Sequence, residues 1–139
     1  MTVGIKIRAM RHVLIPTDHL EATGRFYVDV LGLERFRPRD TREDFQLDWV
    51  RQGDVELHIV KRDPELGSRF DRFGKFNPTL QPHIGFEIEN YRVAKEAIQE
   101  RAIEVLSESG PQVGVIGRAQ MMVRDPSGLV VELYEEGYS

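Results

Sequence analysis

Cysteine is absent from this 139-residue chain. That excludes disulfides, thiolate zinc sites and cysteine nucleophiles. Long apolar runs are absent as well. No stretch reaches the roughly 18 to 20 residues that a membrane helix needs, and the opening residues 1–8 (MTVGIKIR) lack the apolar centre of a signal peptide. There is no excess of positive charge: 19 Lys and Arg stand against 23 Asp and Glu, a formal net charge of −4. General nucleic-acid binding is therefore not expected. With 40% apolar and 30% charged residues, the composition is that of an ordinary soluble globular protein. The expectation is a soluble, cytoplasmic protein with no membrane and no nucleic-acid partner. The length suits one domain or two small fused modules.

What the chain does have is a doubled pattern of His and Glu inside apolar runs. His12 opens Arg11-His12-Val13-Leu14-Ile15, and Glu56 lies in Val55-Glu56-Leu57-His58-Ile59-Val60. After the midpoint, His83 opens Pro82-His83-Ile84-Gly85-Phe86, and Glu132 lies in Val130-Val131-Glu132-Leu133-Tyr134. Ionisable groups in apolar strands are costly unless they are paired or bind a metal. Four of them in two matching halves point to a metal site built by internal duplication.

The local signals place these residues on strands. In the first half, residues 9–15 read as a strand bounded by Pro16. Asp18 with Glu21 forms a capping-box pattern, with Thr17 as another possible cap. Leu20, Gly24, Tyr27 and Leu31 recur at helical spacing, and Gly32 is a plausible stop. Residues 33–36, 45–51 and 55–61 are the next strands, and Gln52-Gly53-Asp54 turns the last two into a hairpin. The second half repeats the order. A strand over 81–88 precedes a helix capped by Asn90 and running to about 101. A short strand over 103–106 follows, then a turn-rich connection over 107–117. Strands over 119–124 and 129–134 are joined by Asp125-Pro126-Ser127-Gly128. Residues 62–80 join the halves without clear periodicity, as lids and linkers do. Within that loop, Arg62, Arg69, Phe70, Arg72, Phe73, Lys75 and Phe76 read either as a cationic, aromatic lid or as anchors at a subunit interface.

Strand side chains alternate between faces. Glu56 and His58 therefore share a face opposite Leu57 and Ile59, and Glu132 and Tyr134 share one opposite Val131 and Leu133. If the two polar faces meet, His12, Glu56, His83 and Glu132 form a His₂Glu₂ set. Imidazole and carboxylate donors suit one divalent ion, with nickel, cobalt, zinc, iron and manganese all open. Two remaining coordination positions can take two oxygens of a small-molecule substrate. The ion acidifies a proton next to a carbonyl, and Glu56 or Glu132 serves as general base. The bland alternative makes the histidines ordinary core residues bonded to backbone. Their pairing with matched glutamates favours ligands. His58 is read as a neighbour that orients Glu56 by a hydrogen bond, or as a direct catalytic group. His19 is read as surface. Arg118 and Gln120 alternate along their strand and are candidates to face the same cavity as Glu132, while the orientation of Trp49 is left open.

These pieces, with Phe26-Tyr27, Leu31-Gly32-Leu33 and residues 123–128 (VRDPSG), resemble the vicinal oxygen chelate superfamily. That superfamily groups glyoxalase I, fosfomycin and bleomycin resistance proteins and extradiol dioxygenases. The resemblance covers roughly residues 10–135. It implies an α+β fold: two paired βαβββ modules forming a cupped, mostly antiparallel sheet around one site. Residues 1–139 would be a single glyoxalase-like domain, with module one at about 9–61, the joining loop at 62–80 and module two at about 81–136. It also implies His12, Glu56, His83 and Glu132 as metal ligands, with position 56 varying most across the family, and a homodimer. The site would lie within one chain or be shared between two.

Departures narrow the reaction. Bacterial glyoxalase I commonly carries an Arg four residues after the first His and an Asn four after the first Glu, both serving glutathione. Here those places hold Pro16 and Val60. An extradiol dioxygenase would carry a Tyr where Met122 stands and a His in the region of Val113 to Val115. No match to the phosphonate-binding residues of fosfomycin resistance enzymes is evident. The leading expectation is a metal-dependent, glyoxalase-like lyase or isomerase. One alternative is an Fe(II) ring-cleaving dioxygenase needing only His12, His83 and Glu132. The other is a non-catalytic drug-binding protein of the bleomycin-resistance kind.

Overall fold

The computed structural model describes residues 4, 6–7, 9–37, 47–62 and 82–137. The chain forms two compact units, Met1–Lys61 and Arg62–Ser139. In the first unit, β1 (Val13–Thr17) leads into helix α1 (Leu20–Arg25), which continues into a π-helical turn (Phe26–Val30). Strands β2 (Glu34–Phe36), β3 (Leu47–Gln52) and β4 (Val55–Lys61) follow. The strand order is β1-β4-β3-β2, with β1 parallel to β4 and the other pairings antiparallel.

The second unit repeats the plan with β5 (His83–Glu87), α2 (Tyr91–Glu100), β6 (Val105–Ser109), β7 (Ala119–Arg124) and β8 (Val130–Glu135). Its order is β5-β8-β7-β6, and only β5–β8 is parallel. The fold is thus α+β, with two βαβββ modules whose sheets are mostly antiparallel, as the sequence led us to expect. A parallel pair needs a crossover connection, and in each unit the helix lies in that crossover.

Alternation sorts the strand residues as anticipated. In the first unit Ile15 faces Ile59 and Val50 faces Leu57, all buried. In the second, Met121 faces Leu133 and Val123 faces Val131, again buried, with Tyr91 and Ile98 of α2 also in the core. Asn90 caps α2, accepting the Val93 N–H at 3.1 Å. Gly32, at φ 76°, ends the first helix in the left-handed conformation that suits glycine. Among the described residues no helix is long and apolar enough to cross a membrane.

Four local expectations need correction. Strand β1 starts at Val13 and runs through Pro16 to Thr17. Pro16 is tolerated because, among the described residues, β1 is an edge strand pairing only with β4. The Asp18–Glu21 capping box does not form, since His19 holds the N-cap position without a side-chain cap. Buried Thr17 takes over locally: its hydroxyl accepts the His19 N–H at 3.0 Å and bonds the Thr23 hydroxyl at 2.8 Å. The helix then widens, with the Leu31 N–H donating to the Phe26 carbonyl at 3.2 Å. Phe26 and Tyr27 are both buried on this wider turn. Finally, β6 covers Val105–Ser109, later than the expected 103–106. Its polar end pairs Ser107, Glu108 and Ser109 with Met122, Met121 and Gln120.

Glu108 on β6 links that strand to α2. Its carboxylate accepts from the Tyr91 hydroxyl at 2.7 Å and the Lys95 ammonium at 2.8 Å. Partial burial disfavours its charge, but the Lys95 and Tyr91 hydrogen bonds outweigh that and hold its pKa below the usual 4.5. A depressed native pKa stabilises the fold fully above the unfolded value, and the contribution is lost as pH falls through the folded value. Glu108→Gln should therefore be less stable than wild type at neutral pH, with the difference closing as pH drops below about 4.5. Urea titrations at a series of pH values check this, and a gap that persists under acid refutes it.

Candidate metal-binding site

In the first unit the polar face of β4 carries the chemistry. Trp49 faces His58 and Arg51 faces Glu56 across the β3–β4 pairing. His58 is buried, and its ring lies between two others. Trp49 stacks on one side with centroids 3.6 Å apart and planes 3° from parallel. His12 stacks on the other at 4.1 Å and 16°. Glu56 Oε2 lies 3.0 Å from His58 Nε2. One donor atom from each of His12, Glu56 and His58 falls within 4.8 Å of the others, a spacing that one ion can bridge. The donor set of two imidazoles and a carboxylate fits a first-row divalent ion.

In the second unit, His83 Nε2 lies 3.3 Å from Glu132 Oε2. Gly85 sits opposite Glu132 in the parallel register, and a Cβ built there would touch Glu132 Oε2 at 3.5 Å. The other carboxylate oxygen accepts from Arg118 Nη2 at 3.1 Å. Arg118 also donates to Glu136 at 3.1 Å and lies over the Tyr134 ring at 4.1 Å. Its pKa is raised, first by the Glu136 hydrogen bond, against some desolvation, and further by the charges of Glu132 and Glu136. Glu132 is thus held from two sides.

All five expected site residues fall into these two groupings: His12, Glu56 and His58 in one unit, His83 and Glu132 in the other. Arg118 does reach Glu132, and Gln120 accepts from Arg118 Nε at 3.4 Å. Trp49, whose orientation was unreadable, turns out to be the stacking partner of His58, and its buried indole N–H meets no acceptor among the described residues. The missed signal was register, since Trp49 faces His58 only once the hairpin turn is fixed at Gly53-Asp54. His19 is exposed, as expected. The joining loop after Arg62 lies outside the described residues.

A duplicated βαβββ plan with an imidazole–carboxylate grouping in each unit defines a glyoxalase-like α+β protein. The sequence profile of the Glyoxalase/Bleomycin resistance protein/Dioxygenase superfamily matches residues 9–133, and the chain belongs to that superfamily. It is 25% identical over 134 residues to a "Probable lactoylglutathione lyase" of Vibrio parahaemolyticus, covering 89% of this chain and 88% of the relative. It is 27% identical over 131 residues to an ethylmalonyl-CoA/methylmalonyl-CoA epimerase of Cereibacter sphaeroides, covering 91% and 97%. Its fold matches that of a fosfomycin resistance protein from Listeria monocytogenes, solved with Mn(II) and 1S,2S-dihydroxypropylphosphonic acid. That match has a TM-score of 0.70 at 16% identity and covers 94% of each chain.

Proposed function

We propose that this protein is a divalent-metal-dependent lyase or isomerase that grips two vicinal oxygens of a small substrate and moves a proton next to a carbonyl. The observation that carries this reading is the His–carboxylate grouping on each sheet. His12, Glu56 and His58 lie within 4.8 Å of one another, and His83 lies 3.3 Å from Glu132. His12, His83 and Glu132 are metal donors in this reading, and β4 supplies a fourth from Glu56 or His58. Nickel, cobalt, zinc, iron and manganese are all compatible with such donors. The two modules act as one domain of a cytoplasmic homodimer, with the donors drawn from one chain or from two.

A bound divalent ion would supply Lewis acidity toward a carbonyl. The chain's own groups do the rest. Glu132, anchored by Arg118 and His83 with a side chain 9% exposed, suits a fixed donor. Glu56, with a side chain 32% exposed beside His58, has room to take and return a proton as general base. Similarity to a lyase and to an epimerase supports proton transfer, because inverting a centre next to a carbonyl requires a proton to leave and come back. Pro16 and Val60 argue against glutathione recognition of the bacterial glyoxalase type.

The test is elemental analysis of gently purified protein, followed by proton exchange in D₂O read by NMR on 2-substituted acyl thioesters and 2-hydroxy carbonyl compounds. Metal-dependent deuterium incorporation without oxygen uptake is expected. Oxygen consumption on catechols would replace this reading with the dioxygenase. Tight binding of a drug by metal-free protein, without exchange, would replace it with the binding protein.

A further inference from the structure

Resting on that reading, we infer that Arg118 is a positioning residue: it occupies one carboxylate oxygen of Glu132 and leaves the other as the single oxygen presented beside His83. The register sets this up. Across the antiparallel β7–β8 pair, Ala119 faces Glu135 and Gln120 faces Tyr134. Arg118 therefore stands just before the ladder, level with Glu136. Alternation puts Glu132, Tyr134 and Glu136 on one face. From its place beside Glu136, the Arg118 side chain runs back along β8. Its guanidinium lies over the Tyr134 ring at 4.1 Å and reaches a different carboxylate with each terminal nitrogen. Nη1 donates to Glu136 at 3.1 Å, and Nη2 donates to Glu132 Oε1 at 3.1 Å.

An arginine fork often meets one carboxylate with two parallel N–H groups. Here the fork is divided between two carboxylates, so Glu132 receives one N–H and at one oxygen only. Oε2 is left on the side of His83, 3.3 Å from its Nε2. With a side chain 9% exposed, Glu132 has little water to turn toward. The guanidinium is itself held by the ring beneath it, by Glu136 and, more loosely, by Gln120 Oε1 at 3.4 Å from Nε.

The consequence is a division of roles between the two glutamates. Glu132 is a one-oxygen donor: with Oε1 on Arg118 and Oε2 on the donor side, it has no oxygen left to carry a proton. That task falls to Glu56, whose carboxylate meets His58 at 3.0 Å and no arginine among the described residues. Lysine could not replace Arg118, because an ammonium is a point charge without the flat fork that spans two carboxylates across a ring.

The clamp is tested first on the metal-free full chain, by ¹⁵N NMR of the arginine side chains. A guanidinium fixed between two carboxylates turns slowly about its Cζ–Nη bonds. Arg118 should therefore give separate Nη1 and Nη2 signals, and Glu136→Ala should merge them. Merged signals in the wild type overturn the inference. The second arm is infrared spectroscopy of the Zn(II)-loaded minus metal-free chain, in a Glu56→Gln background that leaves Glu132 as the one candidate carboxylate donor. A wide splitting of the carboxylate stretches, the mark of one-oxygen coordination, is expected. Arg118→Met should narrow it as the second oxygen joins. With Glu56 intact, Arg118→Met should bind Zn(II) no more weakly than wild type, because an oxygen is gained and a positive charge leaves the ion's neighbourhood. Its proton exchange should nonetheless slow by about 10- to 100-fold, the range for groups that act through a ligand, and Arg118→Lys should not restore it. A narrow splitting in the presence of Arg118, or weakened Zn(II) binding together with lost exchange, would overturn the positioning role and leave the lyase or isomerase standing. A wild-type chain that binds no divalent ion would overturn both.

Discussion

If His83 is a donor to the proposed metal site, replacing it with Ala should empty that site and leave the fold intact. The His83 side chain is 26% exposed at the start of β5, and its Nε2 faces Glu132. Little apolar contact is lost with it, while the proposed site loses a donor outright. Removing a group that merely supports a ligand weakens metal binding by about 10- to 100-fold, so losing a donor should raise Kd by at least about 100-fold. Two measurements check this. Metal content by elemental analysis should fall to background after desalting. Thermal melts should also lose their dependence on added metal. A ligand that binds only the native state at about 100 times its Kd stabilises it by about 2.7 kcal/mol, and that increment should be absent. If the variant keeps full metal content and the same metal-induced stabilisation, His83 is not a donor.

Much of the architecture was readable before any coordinates, because it rests on local periodicity. Alternation in residues 55–61 and 119–124, the Gly53-Asp54 turn and the Asn90 cap each fix an element from a few neighbours. Misreadings came where a distant partner decided. Pro16 looked like a strand end, yet an edge position lets β1 run through it. Ser107, Glu108 and Ser109 looked like loop, yet they pair with Met122, Met121 and Gln120 and use Tyr91 and Lys95 to satisfy Glu108. The candidate site divides the same way. Residue type was visible for His12, Glu56, His83 and Glu132, and the strand face for Glu56 and Glu132. Register was not, so the Trp49–His58–His12 stack could not be seen. Arg118 illustrates the point in the second module. Its strand position made it a candidate, but only the sheet brings its guanidinium to Glu132, Glu136 and Tyr134 together.

Gly24→Ala should destabilise the protein, although alanine is the better helix former. Gly24 is buried on α1 against β3, and a Cβ there would overlap Asp48 Oδ2 and fall 2.9 Å from its Cγ. Asp48 can swing away only by leaving its arginine. Arg35 Nε holds both of its oxygens at 3.0 and 3.1 Å, and its side chain is only 15% exposed. Alanine gains about 1 kcal/mol of helix propensity over glycine, while forcing a methyl into a packed contact costs about 1–3 kcal/mol, occasionally more. The clash is expected to win, because the carboxylate must give up its arginine or the helix must lift from the sheet. Urea unfolding should show a net loss of up to about 2 kcal/mol. The decisive control removes the obstacle. Asp48→Ala alone should have little effect, since an ion pair whose arginine is 48% exposed is worth about 0–1 kcal/mol. In that background the sign should reverse, with Gly24→Ala now stabilising by up to about 1 kcal/mol. A Gly24→Ala variant more stable than wild type with Asp48 intact would mean that α1 does not approach β3 this closely, and the case for glycine at this position would fail.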